Sequence, residues 1–245
     1  MGMTPGVKYL LIANAAVYLL ELAAPTFFVA HFALIPAQFA FGLHLWTPLT
    51  YMFMHSPTDP GHILLNMLGL WMFGVILERR WGTRSFVQFY LLSGLIAGFA
   101  VIVAGFLFGA AAIPTLGASG AILAVIMAFG LIFPDEYLYI YFLFPVKAKY
   151  FLMFIVGITV LYAITGASGA TSIPAHAGGL FAGWFLIRGY YHPRVAANGI
   201  RRLWLKIKLK DAERKRKASK LRVVRDEDKK DDDDQDAPGA GGYYN

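Results

Sequence analysis

Lys and Arg are absent from residues 9–78, 85–146 and 150–187 of this 245-residue chain; between those stretches they cluster as Arg79, Arg80 and Arg84, then Lys147 and Lys149. Basic residues so confined, in a chain that is 58% hydrophobic and 15% charged with mean hydropathy +0.55, point away from a soluble globular domain and to a membrane protein. A bilayer core of about 30 Å needs roughly 20 apolar residues per helix. Segments near that length lie at 7–26, 61–78, 84–108, 118–134, 148–166 and 175–191. An even number of spans puts both termini on one side. The two basic clusters and the basic tail fall on that same side, which the positive-inside rule makes cytoplasmic. The expected fold is therefore all-α: a polytopic six-transmembrane-helix bundle over residues 1–191, both termini cytoplasmic, in a cell (inner) membrane. The first segment follows a single Lys8, exceeds a usual signal-peptide core and has no convincing small-residue cleavage site, so it reads as a retained helix.

Residues 192–245 carry 15 of the 22 Lys and Arg and 10 of the 15 Asp and Glu, so the net charge of +7 describes this tail. It opens with basic residues interleaved with large apolar ones from Ile200 to Lys210 and ends in Asp231–Asp234 and a Gly-rich tip. That pattern suits a cytoplasmic surface helix on anionic lipid headgroups followed by partial disorder, with no call for nucleic acid. The absence of Cys excludes disulfides, thiolate metal sites and thiol catalysis. The 27–60 connection is rich in aromatic and apolar residues (Phe27, Phe28, Phe32, Phe39, Phe41, Trp46) and is expected to lie in the outer interface, partly submerged.

Polar groups in hydrocarbon cost free energy unless paired, so the few present are informative. Four fall at one depth near the outer ends of their segments. His62 and Asn66 open the second, Ser119 within Gly117-Ala118-Ser119-Gly120 opens the fourth, and His176 opens the sixth. Gly120, Ala124 and Ala128 make a small-residue stripe on the fourth segment, and Ala175, Gly179 and Gly183 make one on the sixth, so a parallel pairing of the two helices would bring Ser119 to His176. A Ser hydroxyl is a weak nucleophile until a neighbouring base takes its proton, and His does this near neutral pH. Unpaired amides at the helix N-terminus suit a developing oxyanion, and His62 and Asn66, four apart on one face, add donors. Taken singly, each has an ordinary alternative: a packing Ser, an interfacial His, an interhelical Asn. Their coincidence at one depth is what points to catalysis.

With those residues in place, residues 45–190 resemble the rhomboid family of intramembrane serine proteases. The resemblance rests on His62-x-x-x-Asn66, Gly117-x-Ser119-Gly120 and Ala175-His176-x-x-Gly179-x-x-x-Gly183. Trp46, Thr50, His55, Glu78-Arg-Arg-Trp-Gly82 and Phe144-Pro-Val-Lys147 support it. It implies a Ser119–His176 dyad with no acidic third member and an oxyanion hole from His62, Asn66 and the Ser119 backbone N–H. Thr47 stands where many members have Arg, and Leu123 where some have a Tyr that stacks on the His.

The expected function is intramembrane endopeptidase cleavage of single-span membrane proteins in or near their transmembrane segment, with no metal or cofactor. Gly117, Gly120, Gly179 and Gly183 are structural near the site. The alternative is a catalytically inactive rhomboid-like protein that binds membrane clients. Of the acidic residues before the tail, Glu78 reads as a partner for the adjacent Arg residues, and Glu21 has no evident role.

Overall fold

The computed structural model describes residues 2–140, 144–165 and 172–189, with Leu209. Contacts divide the chain into two units, Met1–Pro193, which holds the helical bundle, and Arg194–Asn245. The expectations for the tail at 192–245, and for the last two residues of the sixth segment, lie outside the described residues.

Each of the six predicted segments is helical over most of its described residues. α1 is Pro5–Ala23; three short helices come next, α2 (Pro25–Phe32), α3 (Pro36–Ala40) and α4 (Thr47–Thr50), the last running into a 3-10 turn at Tyr51–Phe53; then come α5 (Pro60–Trp81), α6 (Thr83–Leu107), α7 (Ser119–Ile132), α8 (Ala148–Thr165) and α9 (Ile173–Gly189). Proline opens α1, α2, α3 and α5, where its missing N–H would have no helical acceptor and its fixed φ suits the first turn. Among the described residues four helices, α1, α5, α6 and α8, are long and apolar enough to cross a membrane. Their outward faces carry exposed Leu64, Leu65, Phe99, Phe106, Met153, Phe154 and Ile164, a surface suited to lipid.

α7 has the opposite character. Eleven of its 14 residues are buried, because α5, α6, α8 and α9 all pack on it. α9 wedges between α6 and α7 on adjacent glycines. A Cβ on Gly178 would lie 2.6 Å from the Ala100 Cβ, and one on Gly179 would collide with the Gly120 carbonyl. One turn on, a Cβ on Gly183 would be 2.6 Å from the Ala124 carbonyl oxygen. The two small-residue stripes thus meet backbone to backbone, where dispersion contacts are densest.

Two features depart from expectation. The chain is mostly helical but not all-α. Tyr137–Ile140 (β1) and Phe144–Lys147 (β2) pair antiparallel, with Tyr137 opposite Lys147 and Ile140 opposite Phe144. These strands are aromatic and apolar, and Asp135 ties their base by accepting from Lys149 Nζ at 2.8 Å and Lys147 Nζ at 3.5 Å.

Glu78 does not pair with the neighbouring Arg residues. Its carboxylate accepts from the amides of Gly6 (2.7 Å) and Val7 (2.8 Å) and the hydroxyls of Thr4 (2.5 Å) and Thr83 (2.6 Å). It therefore caps α1 from α5, satisfying first-turn N–H groups and complementing the positive end of the helix. Arg79 instead donates to the Gly2 carbonyl at 2.7 Å.

Candidate active site

Ser119 is the first residue of α7, so the amides of its turn have no intrahelical acceptor. The strand-like segment before it is fixed by Leu34 and Thr115, which exchange two backbone hydrogen bonds of 2.9 Å, and by the Gly117 N–H donating to the Tyr51 carbonyl at 2.9 Å. Gly117 has φ +127°, a conformation that side chains rarely adopt, and a Cβ there would be 2.9 Å from both Cε1 and Nε2 of His62. Glycine is needed here on both counts.

His176 lies in the first turn of α9. The α7–α9 contact sets its imidazole against the serine, with Nε2 2.8 Å from Ser119 Oγ. For the hydroxyl to donate in that bond, Nε2 must be the unprotonated nitrogen. Both side chains are half-buried.

A cavity of about 920 Å³ adjoins the pair, and His62, Asn66, Ser119 and His176 all line it. Its apolar wall comes from Val101, Ala104, Gly105 and Phe108 of α6 and its end, while Ser56, Thr58 and Asp59 form a polar margin. Asn66 is only 7% exposed, and its Nδ2 meets no acceptor among the described residues. A buried amide donor left free beside a hydroxyl–imidazole pair is the arrangement that receives an anion.

All four polar residues singled out from the sequence therefore converge on one cavity. Of the glycines, Gly117 accommodates His62, Gly120 meets Gly179, and Gly183 meets Ala124. Leu123, one turn past Ser119, belongs to the apolar core, and Thr47 is buried with its hydroxyl donating to the His44 carbonyl at 2.8 Å.

Sequence reasoning passed over Tyr51, which is fully buried, accepts from Gly117 through its carbonyl and donates through its hydroxyl to the Gly94 carbonyl at 2.8 Å. Nothing in its local sequence signals that role, since both partners are distant in the chain. His55, noted only as a supporting match, packs its ring edge-on against His62 with centroids 5.1 Å apart. Burial, and secondarily the charge of His62, push the His55 pKa down to about 4. It is neutral at pH 7.

A family profile described as Rhomboid domain matches residues 42–192, more than half of the chain. The chain belongs to the rhomboid family. Among its relatives is RHOMBOID-like protein 12, mitochondrial, of Arabidopsis thaliana, 30% identical over 184 residues that make up 69% of this chain and 54% of the relative. Rhomboid protein 1, mitochondrial, of Saccharomyces cerevisiae is 31% identical over 142 residues, 53% of this chain and 37% of the relative. Rhomboid protease GluP of Bacillus subtilis is 28% identical over 164 residues, 64% of this chain and 28% of the relative. The match spans about half or less of each of these curated rhomboids. His62, Asn66, Ser119 and His176 of this rhomboid all fall within the matched region.

Proposed function

We propose that this rhomboid is an intramembrane serine endopeptidase, with Ser119 as nucleophile and His176 as general base. The observation that carries this is the 2.8 Å approach of His176 Nε2 to Ser119 Oγ beside a cavity that His62 and Asn66 also line. In the first step His176 Nε2 takes the hydroxyl proton as Oγ attacks the scissile carbonyl carbon. The resulting oxyanion is held by Asn66 Nδ2, the His62 imidazole and the Ser119 backbone N–H, donors whose positions the fold fixes before charge develops. As the tetrahedral adduct collapses, His176 gives the proton to the departing amine and an acyl ester remains on Ser119. Water, deprotonated by His176, then cleaves the ester and restores the serine.

Helix length supports an intramembrane setting. The 14 residues of α7 span about 21 Å at 1.5 Å per residue, short of a bilayer core of about 30 Å. With six spans and both termini cytoplasmic, the N-terminal end of α7 lies below the outer surface, and the cavity is the route for water. Substrates are then single-span membrane proteins whose helix unwinds near that depth, since a regular helix shields its carbonyls. Residues 1–191 supply this membrane domain. Residues 192–245 are proposed, from sequence alone, as a cytoplasmic tail that meets anionic headgroups through its basic first part. Two relatives carry mitochondrial names and one is bacterial, so a mitochondrial inner membrane or a bacterial cell membrane fits.

The test is cleavage of a single-span substrate by the purified protein in detergent. Wild type is expected to cut, and folded Ser119→Ala and His176→Ala to be inert. Cleavage by Ser119→Ala at the wild-type rate would remove the nucleophile assignment. A wild type inert toward several substrates would favour client binding without hydrolysis.

A further inference from the structure

Glu21 takes no part in the proposed reaction, yet it sits on α1 with 1% of its surface exposed. A carboxyl buried among apolar helices is costly unless hydrogen-bonded, so its place needs a reason. Its Oε2 accepts the backbone N–H of His55 at 2.9 Å. His55 is itself fully buried in the segment leading to α5, and its ring meets the His62 ring at 5.1 Å and 60°, edge to face. On another side the His62 ring bears on Gly117, whose missing Cβ leaves it just enough room. His62 is thus confined between the residue Glu21 holds and the residue two before Ser119.

We propose that Glu21 is a positioning residue for His62: by anchoring the His55 backbone it keeps the His55 ring against His62 and so keeps the His62 imidazole facing Ser119. The proposal rests on the reading of His62 as an oxyanion donor. What Glu21 supplies is a hydrogen-bond acceptor at a fixed point on α1. Gln offers a carbonyl oxygen at the same reach, whereas Leu fills the space and offers none.

Full-length protein in detergent, carrying Glu21→Leu or Glu21→Gln with and without His62→Ala, is assayed for kcat and KM. It is also labelled with ¹³Cε1-histidine for NMR. Glu21→Leu is expected to lower kcat by about tenfold or more, with KM within about twofold of wild type, because a donor has been displaced and substrate contacts have not. Glu21→Gln should restore kcat to within about threefold, and in the His62→Ala background Glu21→Leu should cost no more than about a further twofold. The His62 signal, identified by its loss in His62→Ala, should move in Glu21→Leu and return in Glu21→Gln, while those of His31 and His44, remote in a separate ring cluster, stay in place.

An equal loss from Glu21→Leu in both backgrounds would overturn the positioning role alone, marking Glu21 as general structural support. An unmoved His62 signal would overturn it whether or not the protein cleaves. Full activity of His62→Ala would instead overturn the oxyanion reading of His62, and with it any effect of Glu21 on turnover.

Discussion

The carbonyl of Gly120 on α7 occupies the space that a side chain on Gly179 of α9 would need. This close approach is what carries His176 to Ser119, because each residue lies within one turn of the contact. Gly179→Val forces the two backbones apart, with an overpacking cost of about 3 kcal/mol or more and loss of the hydroxyl–imidazole bond. Thermal unfolding in detergent, with activity measured below the midpoint, checks this. Gly157→Ala is the control, since nothing lies within 4 Å of its added Cβ, and it should leave both quantities near wild type.

Glu78 joins α5 to the start of α1 through two backbone amides and two hydroxyls. Glu78→Leu strands these donors together and is expected to destabilise the fold by about 3 kcal/mol, with Glu78→Gln intermediate because one acceptor oxygen remains. Equilibrium unfolding in mixed micelles reads the difference. Ser119 chemistry per folded molecule should change little, as this contact lies at the far end of α5 from His62.

Asn66 lines the cavity, and its buried amide Nδ2 has no acceptor among the described residues. Asn66→Ala should lower kcat about 100-fold while leaving KM within about threefold, the pattern of an interaction made chiefly in the transition state. Steady-state kinetics in detergent decides it. A rise in KM at constant kcat would make Asn66 a substrate-binding residue instead.

His55 is neutral and buried, with its pKa lowered from 6.5 to about 4. Between those values the unfolded chain binds the proton and the folded one does not, so stability rises with pH across the window. The contribution is complete above about pH 6.5 and lost as pH falls toward 4, up to roughly 3 kcal/mol over the full range. Unfolding midpoints measured from pH 4.5 to 7 should rise with pH, and the rise should shrink in His55→Leu.

Much of this was legible because a membrane imposes simple rules. Apolar length located α1, α5, α6, α7, α8 and α9 to within a few residues, and the spacing of Gly120, Ala124, Gly179 and Gly183 anticipated which helices meet and that Ser119 would face His176. The contacts of Glu21 and Glu78 were not legible, because each binds backbone amides 34 or 71 to 72 residues away that carry no side-chain signal, and the hydroxyls of Thr4 and Thr83 that join Glu78 are too common to mark it. The β1–β2 hairpin was missed because strands of four residues beside a charged turn look like a connection. The helices α2, α3 and α4 are too short, at eight, five and four residues, to show a period.

The most direct measurement is labelling of the purified protein with a fluorophosphonate, followed by peptide mass spectrometry. The expected result is a single adduct on Ser119 that disappears in folded His176→Ala, because the hydroxyl then lacks its base. An adduct on another serine, or labelling of Ser119 that is undiminished without His176, would contradict the dyad.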